Sequence, residues 1–153
     1  MVEQGVGARL LRKEDDRLMR GRGEFVGDIR LPGMRDVAFV RSPLAHARIK
    51  GIRIPPQYRD SVFVAADLEG VKPIRAVSGL PGFKVSEQPI LAFEKVRQVG
   101  ELIAMCVADT RAEAEDIAAA VEVDFEELPA VHDMLLAKRP DSALLVTCLI
   151  IAS

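Results

Sequence analysis

Residues 102–126 read LIAMCVADTRAEAEDIAAAVEVDFE, and this stretch decides the fold. Leu102 to Ala108 is apolar throughout, the pattern of a strand covered on both faces. Thr110-Arg111-Ala112-Glu113 then forms a capping box. The Thr110 hydroxyl can accept from the Glu113 amide while the Glu113 carboxylate returns the bond to Thr110. Ala114, Ile117, Ala118 and Val121 follow at helical spacing on one face, so residues 111–120 are expected to be a helix. Val121, Val123 and Phe125 alternate with Glu122, Asp124 and Glu126, which predicts a half-buried strand over 121–126. Strand, capped helix and strand in direct succession point to an α+β domain.

Upstream, Val37 to Arg41 reads as a strand stopped by Ser42-Pro43. Leu44 to Arg48 is expected to make one helical turn. Ile49, Ile52 and Ile54 give a second short strand interrupted at Gly51 and ended by Pro55-Pro56. Val62 to Val64 is a third, and Ala66 to Gly70 a turn. Residues 71–89 hold Pro73, Gly79, Pro81, Gly82 and Pro89 and read as a long loop with at most one short strand. Loops of that length in compact domains tend to face partners. Residues 8–35, punctuated by Gly21-Arg22-Gly23 and Leu31-Pro32-Gly33, read as a surface arm without a long element.

Composition narrows the function classes. A chain of 153 residues fits one core and needs neither metal nor disulfide to fold. Its 21 basic and 23 acidic residues nearly balance. The densest basic stretch, Arg9 to Arg22, is interleaved with Glu14, Asp15 and Asp16, so no nucleic-acid partner is expected. The most apolar segment, Ala143 to Ala152, is half the length of a membrane span. Met1 to Gly7 does not resemble a secretory leader, and a cytoplasmic location without membrane association is expected. Cys106 and Cys148 show no metal or disulfide spacing; Cys106 in its apolar run reads as a small hydrophobe.

A search for chemistry finds no active site. His46 and His132, the two histidines, lack partners at ligand spacing and read as surface or turn residues. Glu14-Asp15-Asp16 and Glu126-Glu127 are chain neighbours, which point apart rather than dividing acid and base roles. Ser42, Ser61, Ser78 and Ser86 lack a nucleophile elbow. Gly5-Val6-Gly7 is half a dinucleotide fingerprint without its strand and helix. Gly100-Glu101 could offer backbone amides to a ligand, against the plainer reading of a tight turn into the strand. No catalytic, cofactor-binding or metal-binding residue is assigned.

Several segments, taken in order, resemble the opening of molybdenum hydroxylase large subunits, the xanthine dehydrogenase, carbon monoxide dehydrogenase and aldehyde oxidase family. They are Gly7-Ala8-Arg9 with Arg12 to Leu18, Gly21 to Ile29, Leu31 to Met34, Ala38 to Pro43 and Ala45 to Ile49. Ala66 to Leu68, Lys95 to Arg97 with Val99 to Glu101, Ala108 to Asp116 and Leu128 to Val131 complete the series. Phe25 stands where the family usually has Tyr, and Leu102 where a Pro is usual.

The resemblance implies an α/β-hammerhead domain with a mixed sheet, and a parent oxidoreductase that hydroxylates carbon centres, or oxidises carbon monoxide, with oxygen from water. It implies a molybdenum–molybdopterin cofactor, in bacteria often the cytosine dinucleotide form. Partner domains or subunits would carry 2Fe-2S clusters and FAD. The family's catalytic glutamate and cofactor segments have no counterpart in these residues, so the chain by itself is expected to bind no cofactor and to be inactive.

The expected organisation is an arm over 1–35, the hammerhead domain over 36–133 and a divergent apolar tail over 134–153. The tail reads either as a truncated or frameshifted end, which left exposed would favour pairing with another chain, or as a genuine added strand. Three roles stay open: a piece of an oxidoreductase subunit, a stand-alone module binding a partner or small molecule through the 71–89 loop, or a gene remnant.

Overall fold

The computed structural model describes residues 12–143 and 148–149. Residues up to Met34 and residues from Arg35 onward form separate compact units. In the first, α1 (Asp15–Met19) opens with two acidic residues and is followed by Gly21 at φ 65°. A 3-10 turn follows at Val26–Asp28, where the Phe25 amide donates to Asp28 Oδ2 at 3.0 Å. Neither element is long, as the Gly and Pro punctuation requires. The half-fingerprint at Gly5-Val6-Gly7 lies outside the described residues.

Among the described residues the second unit holds three three-stranded sheets, two of which carry its cores. One has the order β1 (Asp36–Arg41), β7 (Leu102–Ala108), β3 (Val62–Val64). The other has the order β6 (Lys95–Val96), β2 (Ala47–Arg53), β8 (Glu122–Glu127). The described pairings within both are antiparallel, where a mixed sheet was expected. The reason is topological. After β7 and α2 (Arg111–Ala120) the chain does not return beside β7 as a parallel crossover would. It leaves for the other sheet and pairs β8 with β2.

The apolar run of β7 explains its central place. Ala104, Cys106 and Ala108 join Ala38, Val62, Ala114, Ile117 and Val121 in a core beneath α2. Ile103, one residue out of phase, joins Ala47, Ala92 and Val96 in a second core, packed by Ile49, Val123 and Phe125. Alternate residues of one strand thus serve two cores. The Thr110 box forms as expected: Glu113 N donates to Thr110 Oγ1 at 3.3 Å, and Thr110 N to Glu113 Oε2 at 3.2 Å.

The helical turn expected over Leu44 to Arg48 is absent; the chain bends, and Ala47 and Arg48 already lie in β2. Burial of Ala47, with pairing on both sides to Val96 and Glu127, outweighs any local preference. The interruption near Gly51 is a β-bulge: Ile49 opposes Phe125 while Gly51 opposes Asp124, leaving Lys50 as the extra residue. That phase shift lets Ile49 and Ile52, three apart, pack on the same core.

The 71–89 region is more ordered than a loop. β4 (Ile74–Arg75) pairs antiparallel with β5 (Val85–Gln88), and β9 (Cys148–Leu149) pairs with the other edge of β5. Of the apolar tail only this strand and the residues up to Ala143 are described.

Candidate functional site

The 3-10 turn Ala65–Leu68 directly follows β3 and is held at its start by Asp67, whose Oδ2 accepts from the Val64 amide at 2.8 Å. Arg59 donates to the other oxygen, also at 2.8 Å. The Arg59 guanidinium, and after it the Val64 amide, hold the Asp67 carboxyl below its ordinary value of 3.8. Across from this turn runs the segment from Pro89 to Phe93, anchored where the Ala92 amide donates to the Leu102 carbonyl at 2.7 Å. Leu91 and Ala92 face inward, while Ile90 and Phe93 stay exposed.

Between the two lies an open groove of about 440 Å³. Leu68, Val71, Ile90, Leu91 and Phe93 supply most of its wall, and Glu69 is the one ionisable residue on it. The hairpin beyond exposes Ile74, Val77, Leu80 and Phe83. A partner covering such a surface would remove these apolar groups from water. The groove's lining among the described residues is apolar apart from Glu69, a composition that suits an apolar ligand or partner surface.

Elsewhere the candidate residues take structural parts. Gly100 and Glu101 do not offer their amides outward. Gly100 N donates to the Ser42 carbonyl at 2.7 Å and Glu101 N to the Gln98 carbonyl at 3.3 Å, with Gly100 at φ 83°. This is the tight turn, and it also carries an ion pair at 2.9 Å between the buried Glu101 and the half-buried Arg97.

His46 was expected in a surface or turn role; it does lie in a bend, but not on the surface. It is buried, 6% exposed, with Nδ1 2.7 Å from the Pro129 carbonyl. The bend before β2 turns it inward against the exit of β8. Its Nε2 has no hydrogen-bond partner among the described residues. His132, unlike His46, is exposed. Cys106 is buried as a free thiol, and burial pushes its pKa above the ordinary 9.0.

Ser42 is buried and spends its hydroxyl on Leu44, donating to the carbonyl at 2.8 Å. Ser61 ends a 3-10 turn, Ser78 lies between β4 and β5, and Ser86 lies in β5. Asp16 pairs with Arg20, and Glu126 with Arg48 and Lys50, all on the surface. Among the described residues no group of three or more His, Cys, Asp or Glu could hold a metal ion, and no helix is long and apolar enough to cross a membrane. The groove itself was not foreseen as a site. Its signal was the apolar Ile90-Leu91-Ala92-Phe93 closing a Pro- and Gly-rich stretch.

A family model described as "Aldehyde oxidase and xanthine dehydrogenase, a/b hammerhead domain" matches residues 20–129. The carbon monoxide dehydrogenase large chain of Afipia carboxidovorans is 40% identical over 148 residues, covering 93% of this chain. The nicotine 6-hydroxylase large subunit of Paenarthrobacter nicotinovorans is 38% identical over 84% of this chain. The matches take up 18% and 16% of those two proteins. Among solved structures, quinoline 2-oxidoreductase from Pseudomonas putida 86 superposes with a TM-score of 0.78 at 42% identity. That alignment covers 87% of this chain and 18% of the other. A Cu,Mo carbon monoxide dehydrogenase gives 0.77 at 36%, covering 94% and 18%.

Proposed function

The chain belongs to the aldehyde oxidase and xanthine dehydrogenase family through its a/b hammerhead domain, and from this we propose that it serves as the N-terminal portion of a molybdenum hydroxylase large subunit. The observation that carries the proposal is the alignment with a carbon monoxide dehydrogenase large chain over 93% of this chain at 40% identity, while spanning 18% of that protein. The chain would act as a docking unit, with the groove beside Phe93 and the apolar hairpin as contact surface.

In this reading residues 1–35 are an arm, 36–133 the hammerhead domain and 134–153 an appended apolar tail. The parent reaction is a water-derived hydroxylation, or oxidation of carbon monoxide, at a molybdenum–molybdopterin centre, with 2Fe-2S and FAD partners completing the electron path in the cytoplasm. The groove itself does not fit the pterin cofactor. Its phosphates and ring edges call for converging cations and hydrogen-bond donors, whereas the groove is apolar with one carboxylate. No catalytic step is therefore assigned to this chain, and by itself it is expected to be inactive.

Two experiments test the proposal. A carbon monoxide dehydrogenase large chain lacking its matching N-terminal segment, coexpressed with this chain, should copurify with it as a stoichiometric complex. Absence of a complex overturns the docking role. The purified chain alone should reduce no dye with carbon monoxide, quinoline or an aldehyde, and should hold no molybdenum through desalting. Stoichiometric molybdenum overturns the claim that the cofactor residues lie elsewhere. The apolar groove also favours a second reading, a stand-alone binding module. Sequencing the DNA past the Ser153 codon separates the two: a frame resuming the family sequence supports the subunit, an unrelated neighbourhood the module.

A further inference from the structure

The β4–β5 hairpin is too small to be stable by itself. Its strands have two and four residues, and an isolated two-stranded hairpin is marginal in water. Its residues Ile74, Val77, Leu80 and Phe83 are exposed. β5 pairs with β4 on one side only, which would leave its other side as an open row of amides and carbonyls. Such an edge invites pairing with another chain. Here that side is occupied: Val85 lies opposite Leu149 and Ser86 opposite Cys148, antiparallel.

We propose that the C-terminal strand Cys148–Leu149 is an intrachain cap on β5, and that by occupying this edge it keeps the hairpins of two copies from pairing. The composition of the tail suits the role. Val146, Thr147, Ile150 and Ile151 are β-branched, and Ala143 to Ser153 contains neither charge nor proline. The same properties that make the segment adhesive when loose make it a good third strand when docked. The proposal does not depend on the enzymatic assignment, since it concerns only the hairpin and the tail.

The register supplies a direct test. The Ser86 carbonyl accepts from the Ala76 amide at 3.0 Å, on the β4 side. The amide and carbonyl of one antiparallel residue point the same way, so those of Ser86 turn away from β9. Ser86 and Cys148 therefore form a non-hydrogen-bonded pair, the closer kind, with Cα atoms ~4.5 Å apart. That spacing lies within disulfide range.

In the full chain, Ser86→Cys should form a Cys148 disulfide under mild oxidation, giving a monomer with a linked peptide pair by mass spectrometry. Glu87→Cys, one step out of register, should form it at least tenfold more slowly. Cys106 is buried and does not compete. Removing residues 144–153 should convert a monomer into a dimer by analytical ultracentrifugation. In that shortened chain Ser86→Cys should link two copies, with unchanged circular dichroism showing that the core is intact. Lack of the Cys148 disulfide, equal linkage in both variants, or chiefly intermolecular disulfides in the full chain overturns the cap. A shortened chain that stays monomeric overturns its guarding role.

Discussion

His46 and Pro129 tie the start of β2 to the end of β8. The Pro129 carbonyl can only accept, so His46 donates from Nδ1 across 2.7 Å. The His46 carbonyl meanwhile accepts from the Leu128 amide at 2.9 Å. One residue thus fixes, by side chain and backbone together, where the chain leaves the second sheet.

His46→Ala should destabilise the domain by about 1–3 kcal/mol, from the lost bond and the space left in a buried site. Denaturant unfolding followed by circular dichroism measures it. A change within error would mean that the backbone bond alone holds the β8 exit.

Thr110→Ala should cost about 1 kcal/mol by removing the N-cap of α2, and Thr110→Ser should recover most of it. The readout is the thermal midpoint. Equal midpoints for all three proteins would show that the cap is redundant with the packing of Ala114 and Ile117.

Glu101→Ala should be more damaging, at about 3 kcal/mol. Glu101 is 4% exposed and accepts from both the Arg97 amide and its guanidinium, so truncation strands a charge and a donor. Paired denaturant curves for this variant and Thr110→Ala should rank Glu101 above Thr110; the reverse order would show that solvent screens the pair.

Asp67 gives a pH dependence of known sign. Its folded pKa is depressed, first by Arg59 and then by the Val64 amide. Its contribution is therefore present above the unfolded value near 3.8 and is lost as pH falls through the lower folded value. Arg59→Ala should lower the melting temperature at pH 7, and the gap to the parent chain should close below pH 3.8. A gap that persists unchanged at pH 2 would assign Arg59's effect to its bond with the Val62 carbonyl instead.

Cys106 should resist alkylation in the folded chain and react on unfolding. It is fully buried, and its thiol is held protonated by that burial. Mass-resolved labelling with iodoacetamide at pH 8 checks this; rapid native labelling would reveal local opening of β7.

The sequence by itself determined what short-range rules govern. The Leu102–Ala108 run, the Thr110–Glu113 box and the Val121–Val123–Phe125 alternation each need only a few neighbouring residues, and β7, α2 and β8 follow within a residue. The series of segments from Gly7 to Val131 likewise carried the family resemblance. Tertiary structure decided the rest. That β7 lies between β1 and β3, that β8 departs to pair with β2, and that Lys50 is bulged out depend on which distant side chains share a core. His46 looked like a surface or turn residue because its partner, Pro129, lies 83 positions away. The 71–89 stretch looked like a loop because its two strands are too short to show a period. They hold together through pairing, and the apolar groove beside them exists only once Ala65–Leu68 and Pro89–Phe93 are brought face to face. Local preference is a weak energy per residue, and burial in a shared core outweighs it wherever the two disagree.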